Sequence, residues 1–69
     1  MIVINTKLPI GKVVSVIRID PPFLRQKFEA KVIDQRGASV DHMFNVGSLH
    51  YGVTEEEAIN RAVEAFITQ

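Results

Sequence analysis

The run Gly52-Val53-Thr54-Glu55-Glu56-Glu57-Ala58-Ile59, near the end of a 69-residue chain, constrains the fold more than any other. Thr54 is a good N-cap, and Glu57, three residues on, can reach back to the Thr54 amide, which makes the pair a capping box. Glu55 and Glu56 place negative charge at the positive end of a helix dipole. Val53 and Ala58 take the staple positions on either side of the cap. Beyond it, Ile59, Ala62, Val63 and Phe66 recur at the spacing of one helical face. Glu57 and Arg61 stand four apart in the favourable order. Ala58, Ala62 and Ala65 are small, which lets the helix lie close to a sheet. The pattern predicts a helix from Glu55 to the chain end, with no C-cap.

What precedes the helix reads as strands. Met1 to Thr6 is a short apolar run suited to an edge strand, broken at Lys7-Leu8-Pro9-Ile10-Gly11. Val13 to Ile19 is rich in β-branched residues and apolar on both parities, as a central or doubly covered strand would be. Asp20-Pro21-Pro22 is expected to end it, because two prolines cannot continue a ladder. Lys27 to Asp34 alternates: Phe28, Ala30 and Val32 point one way, Lys27, Glu29 and Lys31 the other. Asp34-Gln35-Arg36-Gly37 has type I turn chemistry. Val40 to Val46 alternates again, so residues 34–38 are expected to join a hairpin. Leu49-His50-Tyr51 reads as a brief extension before the helix.

The expected architecture is a single α+β domain over residues 1–69. Three or four antiparallel strands form one layer and a C-terminal helix the other (β-β-β-(β)-α). The helix would cover one face of the sheet and leave the other, with Lys27, Glu29 and Lys31, to solvent or a partner. A chain this short barely balances its conformational entropy with one core. The apolar fraction of 46% answers that need, and part of it suits burial between subunits, so a homodimer is expected. Nothing in Ile2-Val3-Ile4 blunts an exposed strand edge, which makes edge pairing one route to it.

The chain has no cysteine, which excludes disulfides and thiolate zinc sites. No run resembles a signal peptide or reaches membrane-spanning length, so a cytoplasmic protein without a membrane partner is expected. His42 and His50, eight residues apart, match no metal-ligand spacing, and His42 shares parity with the apolar side of its strand. Ser15, Ser39 and Ser48 lack a nucleophile-elbow context, and no phosphate-binding glycine loop occurs. The three consecutive glutamates point in different directions on a helix and cannot converge on one bond. A non-catalytic chain without metal or cofactor is the expectation.

Net charge is zero, yet residues 1–40 carry +4 and residues 41–69 carry −4. The basic half offers a nucleic-acid reading, in which Lys27 and Lys31, with Arg18, Arg25 and Arg36, contact phosphates. Single-strand binders also interleave exposed aromatics, and here Phe28 and Phe44 have core parity, which leaves only Phe23 and Tyr51 to serve. The stronger expectation is a protein partner. Phe23 and Leu24 sit at the tip of a loop stiffened by Pro21 and Pro22, with Arg25 beside them. That is the composition of an interface anchor. Phe23, Leu24 and Arg25, with Lys27, Glu29 and Lys31 of the open face, are the candidate partner-binding residues.

Gly52-Val53-Thr54-Glu55-Glu56-Glu57-Ala58, with Ala62, Glu64 and Ala65 after it, resembles the helix entry of HicB-like antitoxin domains. Phe28 to Gly37 is similar to that family's second strand and Asp-x-x-Gly turn. The resemblance covers about half the chain and implies a small sheet-and-helix domain that holds a protein partner, as an antitoxin or inhibitor does. Ile33 and Arg36 stand where the family's turn carries prolines. The stretch from Gly37 to Gly52 is longer than the family's. The chain ends with its helix, where many members add a DNA-binding segment, so repressor activity is not implied.

Overall fold

The structure, a computed structural model, describes residues 1–35 and 47–68, with Phe23 described by its backbone alone. Four antiparallel strands form one sheet in the order β1-β2-β3-β4: β1 is Ile2–Val3, β2 Lys12–Phe23, β3 Gln26–Asp34 and β4 His50–Gly52. One helix, α1 (Glu55–Ile67), packs on it. This is the two-layer α+β architecture that the alternating strand and the capped helix predict.

Cross-strand register sorts the two faces. Val3, Val14 and Val32 form one row and Val16 and Ala30 the next, all toward the helix. They meet Ala58, Ala62 and Val63 of α1, which are 0–2% exposed, and Phe28, Ile59 and Phe66 pack around them. Full burial of a valine is worth about 1.5–3 kcal/mol. Val14, Val32 and Val63, the largest fully buried side chains among the described residues, therefore carry much of the described core. Three alanines at the contact (Ala30, Ala58, Ala62) let the layers approach closely.

The helix begins as the sequence predicts but closes its cap differently. Thr54 is the N-cap, and its Oγ1 accepts a hydrogen bond from the Glu57 amide at 3.1 Å. The Glu57 carboxylate accepts from the amide of Val53 rather than Thr54, at 3.4 Å. It also pairs with Arg61 at 3.0 Å, four residues on. Arg61 in turn donates to the Tyr51 carbonyl at 2.7 Å, which ties α1 to β4. The helix does have a C-cap: Thr68 donates from its amide and its hydroxyl to the Glu64 carbonyl. Thr54→Ala removes the acceptor for one orphan amide and is expected to cost about 1 kcal/mol, read as a lower urea midpoint. An unchanged midpoint would show that the cap contributes nothing.

Strand boundaries differ from those expected in every strand. The first strand is Ile2–Val3, shorter than the apolar run from Met1 to Thr6, and it pairs within the chain to β2. Residues 7–11 are more than a break: Leu8 turns inward to 8% exposure and joins the core. Asn5 accepts from the Lys7 and Leu8 amides, and Gly11, at φ +94°, turns the chain into β2.

The prolines do not end β2. From Arg18 to Phe23 the chain takes five steps while β3 takes two, from Phe28 to Gln26. The surplus residues form a bulge that holds Pro21 and Pro22 outside the ladder, where a missing amide costs no pairing. β2 therefore continues to Phe23 and turns back directly into β3. The tight hairpin of the described sheet is β2–β3, closed by Leu24 and Arg25. The turn expected at residues 34–37 and the strand at Val40–Val46 lie outside the described residues, beyond Asp34 and Gln35. His42, Ser39, Phe44 and Arg36 lie there too. The brief extension before the helix is a true strand, β4, in register Glu29↔Tyr51 and Ala30↔His50.

Candidate functional site

The helix covers one face of the sheet, and no other described element covers the opposite one. Strand parity places Ser15, Ile17 and Ile19 of β2 on that open face, with Lys27, Glu29 and Lys31 of β3 and Tyr51 of β4. Register joins them in rows: Ile2, Ser15 and Lys31 in one, Ile17, Glu29 and Tyr51 in the next. At one end of the face Val13 is buried and Ile33 half-buried. Toward the β2–β3 hairpin it opens: Ile17 is 51% exposed, Tyr51 41% and Leu24 77%, and on the β1 edge Ile2 is 58% exposed. Scattered apolar residues on a surface need no explanation, but Leu24 and Tyr51 line one groove with Ile19, and Ile17 shares a row with Tyr51.

A groove of about 470 Å³ runs between Ile19, Leu24, Gln26, Glu29 and Tyr51. Its walls are mostly aliphatic and aromatic, and Glu29 brings a carboxylate to the middle of the face. Gln26 Oε1 is buried there and accepts no hydrogen bond.

Leu24 and Arg25, at the rim, are held at φ +50° and +67°. Two-residue hairpins of this hand suit Asn-Gly, because an L side chain at positive φ crowds its own backbone. Here two large side chains occupy the strained positions and Leu24 projects into solvent. Strain of this kind persists where the surrounding structure imposes it, and it concentrates at binding sites.

The structure thus places the sequence-derived candidates as follows. Leu24 and Arg25 form the turn, one step later than a loop tip at Phe23 and Leu24, and the Phe23 backbone pairs with Gln26. Lys27 is exposed, and Glu29 and Lys31 are half-buried on the open face. Arg18 does not join them: it is level with Phe28 on the helix side, in a hollow shared with Glu55. Lys12 pairs with Asp34 at 3.9 Å. The open face is therefore apolar with mixed charge rather than a continuous basic surface.

Ile17, Ile19 and Gln26 were not legible as site residues, whereas Tyr51 is one of the two aromatics that strand parity leaves free. β2 is apolar on both parities, so periodicity alone could not say which of its residues face away from the helix. His50 lies on the helix side of β4, half-buried, with Nε2 2.9 Å from Ser48 Oγ. No group of three or more His, Cys, Asp or Glu residues able to hold a metal occurs among the described residues. No described helix is long and apolar enough to cross a membrane.

No protein-family model, curated protein or solved structure matches this chain.

Proposed function

We propose that the chain is a non-catalytic protein-interaction domain that acts stoichiometrically, by covering a surface of a protein partner. The observation that carries this is the open sheet face, where Ile19, Leu24 and Tyr51 line a groove and Ile17 is exposed in the same row as Glu29 and Tyr51, while among the described elements the helix packs only on the other side. Exposed aliphatic and aromatic side chains beside an arginine have the composition of interface anchors. An apolar side chain of the partner would enter the groove, with Leu24 and Arg25 at its rim and Lys27 and Lys31 outside it. An antitoxin or inhibitor, as the HicB-like resemblance implies, is one concrete form of such a domain. A cytoplasmic location belongs to the same reading.

The nucleic-acid alternative has less support. Of the described aromatic side chains, Tyr51 alone lies on the open face, whereas strand-stacking binders use several. Glu29 also stands between Lys27 and Lys31, where it would face phosphate.

The test is quantitative recovery of co-purifying proteins by wild type and by a Leu24→Ser/Tyr51→Ala variant whose melting curve matches wild type. Partners held by the wild type and lost by the variant support the reading. Equal recovery removes the open face from it. Retention on nucleic acid that falls steeply with salt, and disappears in Lys27→Glu/Lys31→Glu, would favour the alternative instead.

A further inference from the structure

We infer that a second copy of this chain docks on the open sheet face, β3 against β3, about a two-fold axis level with Ala30. The inference rests on the reading of that face as an interaction surface.

The charges identify the occupant. Glu29 is half-buried between Ile17 and Tyr51, so any partner that covers the face must bring a cation to it or leave a carboxylate unpaired. Lys31 lies two residues along the same strand, about 6.6 Å away. A two-fold axis that crosses β3 midway between them sets Glu29 of each copy opposite Lys31 of the other. An isologous interface needs this self-complementarity.

The same axis has a consequence for packing that is independent of charge. Ile17 is level with Glu29, and Ser15 is level with Lys31. Rotation therefore places Ile17 of each copy over Ser15 of the other, a large side chain over a small one. Tyr51, level with Glu29 on β4, closes the flank. A chain with no net charge has no overall repulsion to overcome in pairing with itself.

The area is modest. β2 and β3 run the length of the face, whereas β1 contributes two residues and β4 three, so the patch is smaller than roughly 20 by 20 Å. That is below the roughly 600 Å² per partner of the smallest stable interfaces. The dimer should accordingly be weak, with a dissociation constant in the micromolar range.

Sedimentation equilibrium from about 5 to 500 µM tests this. The expected result is reversible association to twice the 7.7 kDa chain mass. Ile17→Lys, Glu29→Lys and Lys31→Glu should each weaken association at least tenfold with unchanged circular dichroism. The double swap Glu29→Lys/Lys31→Glu, which restores both pairs, should recover most of it. A chain monomeric at the highest concentration overturns the inference. So does a dimer insensitive to these substitutions, as pairing through the β1 edge would be. Failure to rescue overturns the proposed register. If the chain stays monomeric while Leu24→Ser/Tyr51→Ala still loses its protein partner, self-docking falls and the interaction reading stands.

Discussion

Gly52→Ala is expected to cost about 3 kcal/mol of stability, the upper end of what overpacking a tight contact removes. A Cβ built at Gly52 would stand 2.5 Å from the Ala58 nitrogen and 3.0 Å from the Ala58 Cα and the Glu57 carbonyl carbon. All three atoms are helix backbone, so no side chain can swing aside. The first turn of α1 must move off β4 as a body. That shift opens the contact of Ala58, Ala62 and Val63 with Ala30 and Val32, and it strains the Arg61 bond to the Tyr51 carbonyl. A domain of this size has a total stability of roughly 3–10 kcal/mol. At about 4–8 °C per kcal/mol, the unfolding midpoint should fall by roughly 12–24 °C. A thermal melt followed by far-ultraviolet circular dichroism reads this directly, and a midpoint within 2 °C of wild type would contradict the close approach of β4 and α1.

The β2–β3 turn should respond in the opposite direction. Leu24→Asn/Arg25→Gly installs the pair that a two-residue turn with positive φ favours. Each L residue in this region costs about 1–2 kcal/mol, and the entropy of a new glycine returns about 0.5–1 of that. A net gain of roughly 1–3 kcal/mol is expected, seen as a higher urea midpoint with an unchanged slope. The same variant lacks the Leu24 side chain at the groove rim, so it should hold a protein partner less well while being the more stable protein. Higher stability with full partner recovery would make the turn residues incidental to binding. A lower midpoint would refute the strain itself.

Gly52 also explains why the helix-entry motif speaks to structure before it speaks to function. Thr54 caps, Glu57 answers from the first turn, and Gly52 and Ala58 are small because backbone meets backbone between them. Each element of Gly-x-Thr-x-Glu-Glu-Ala thus has a reason in how a strand passes the start of a helix. Any domain that makes this junction would select the same residues.

Local chemistry reached far in some elements and failed in others for identifiable reasons. The alternation from Lys27 to Asp34 assigned both faces of β3 because one face is buried and the other is not. Helix α1 was legible because its cap, apolar stripe and ion pair all lie within a few residues of one another. The β2–β3 hairpin was not, since Leu24-Arg25 carries no turn signature and the prolines beside it read as an end. A bulge three residues long is invisible to any rule that counts residues in a single strand. Leu8 looked like part of a loop because its burial comes from packing on distant elements.

The sequence by itself determined the two layers, the capped helix, the buried parity of β3 and the absence of cysteine chemistry. These depend on neighbours along the chain, where propensity and periodicity act. The tertiary structure decided which side of β2 faces outward, that Arg18 leaves the basic group, and that Ile19, Leu24, Glu29 and Tyr51 share one groove. Those residues come from three strands and the β2–β3 turn, and only cross-strand register brings them together, with the bulge before Phe23 setting where the turn falls.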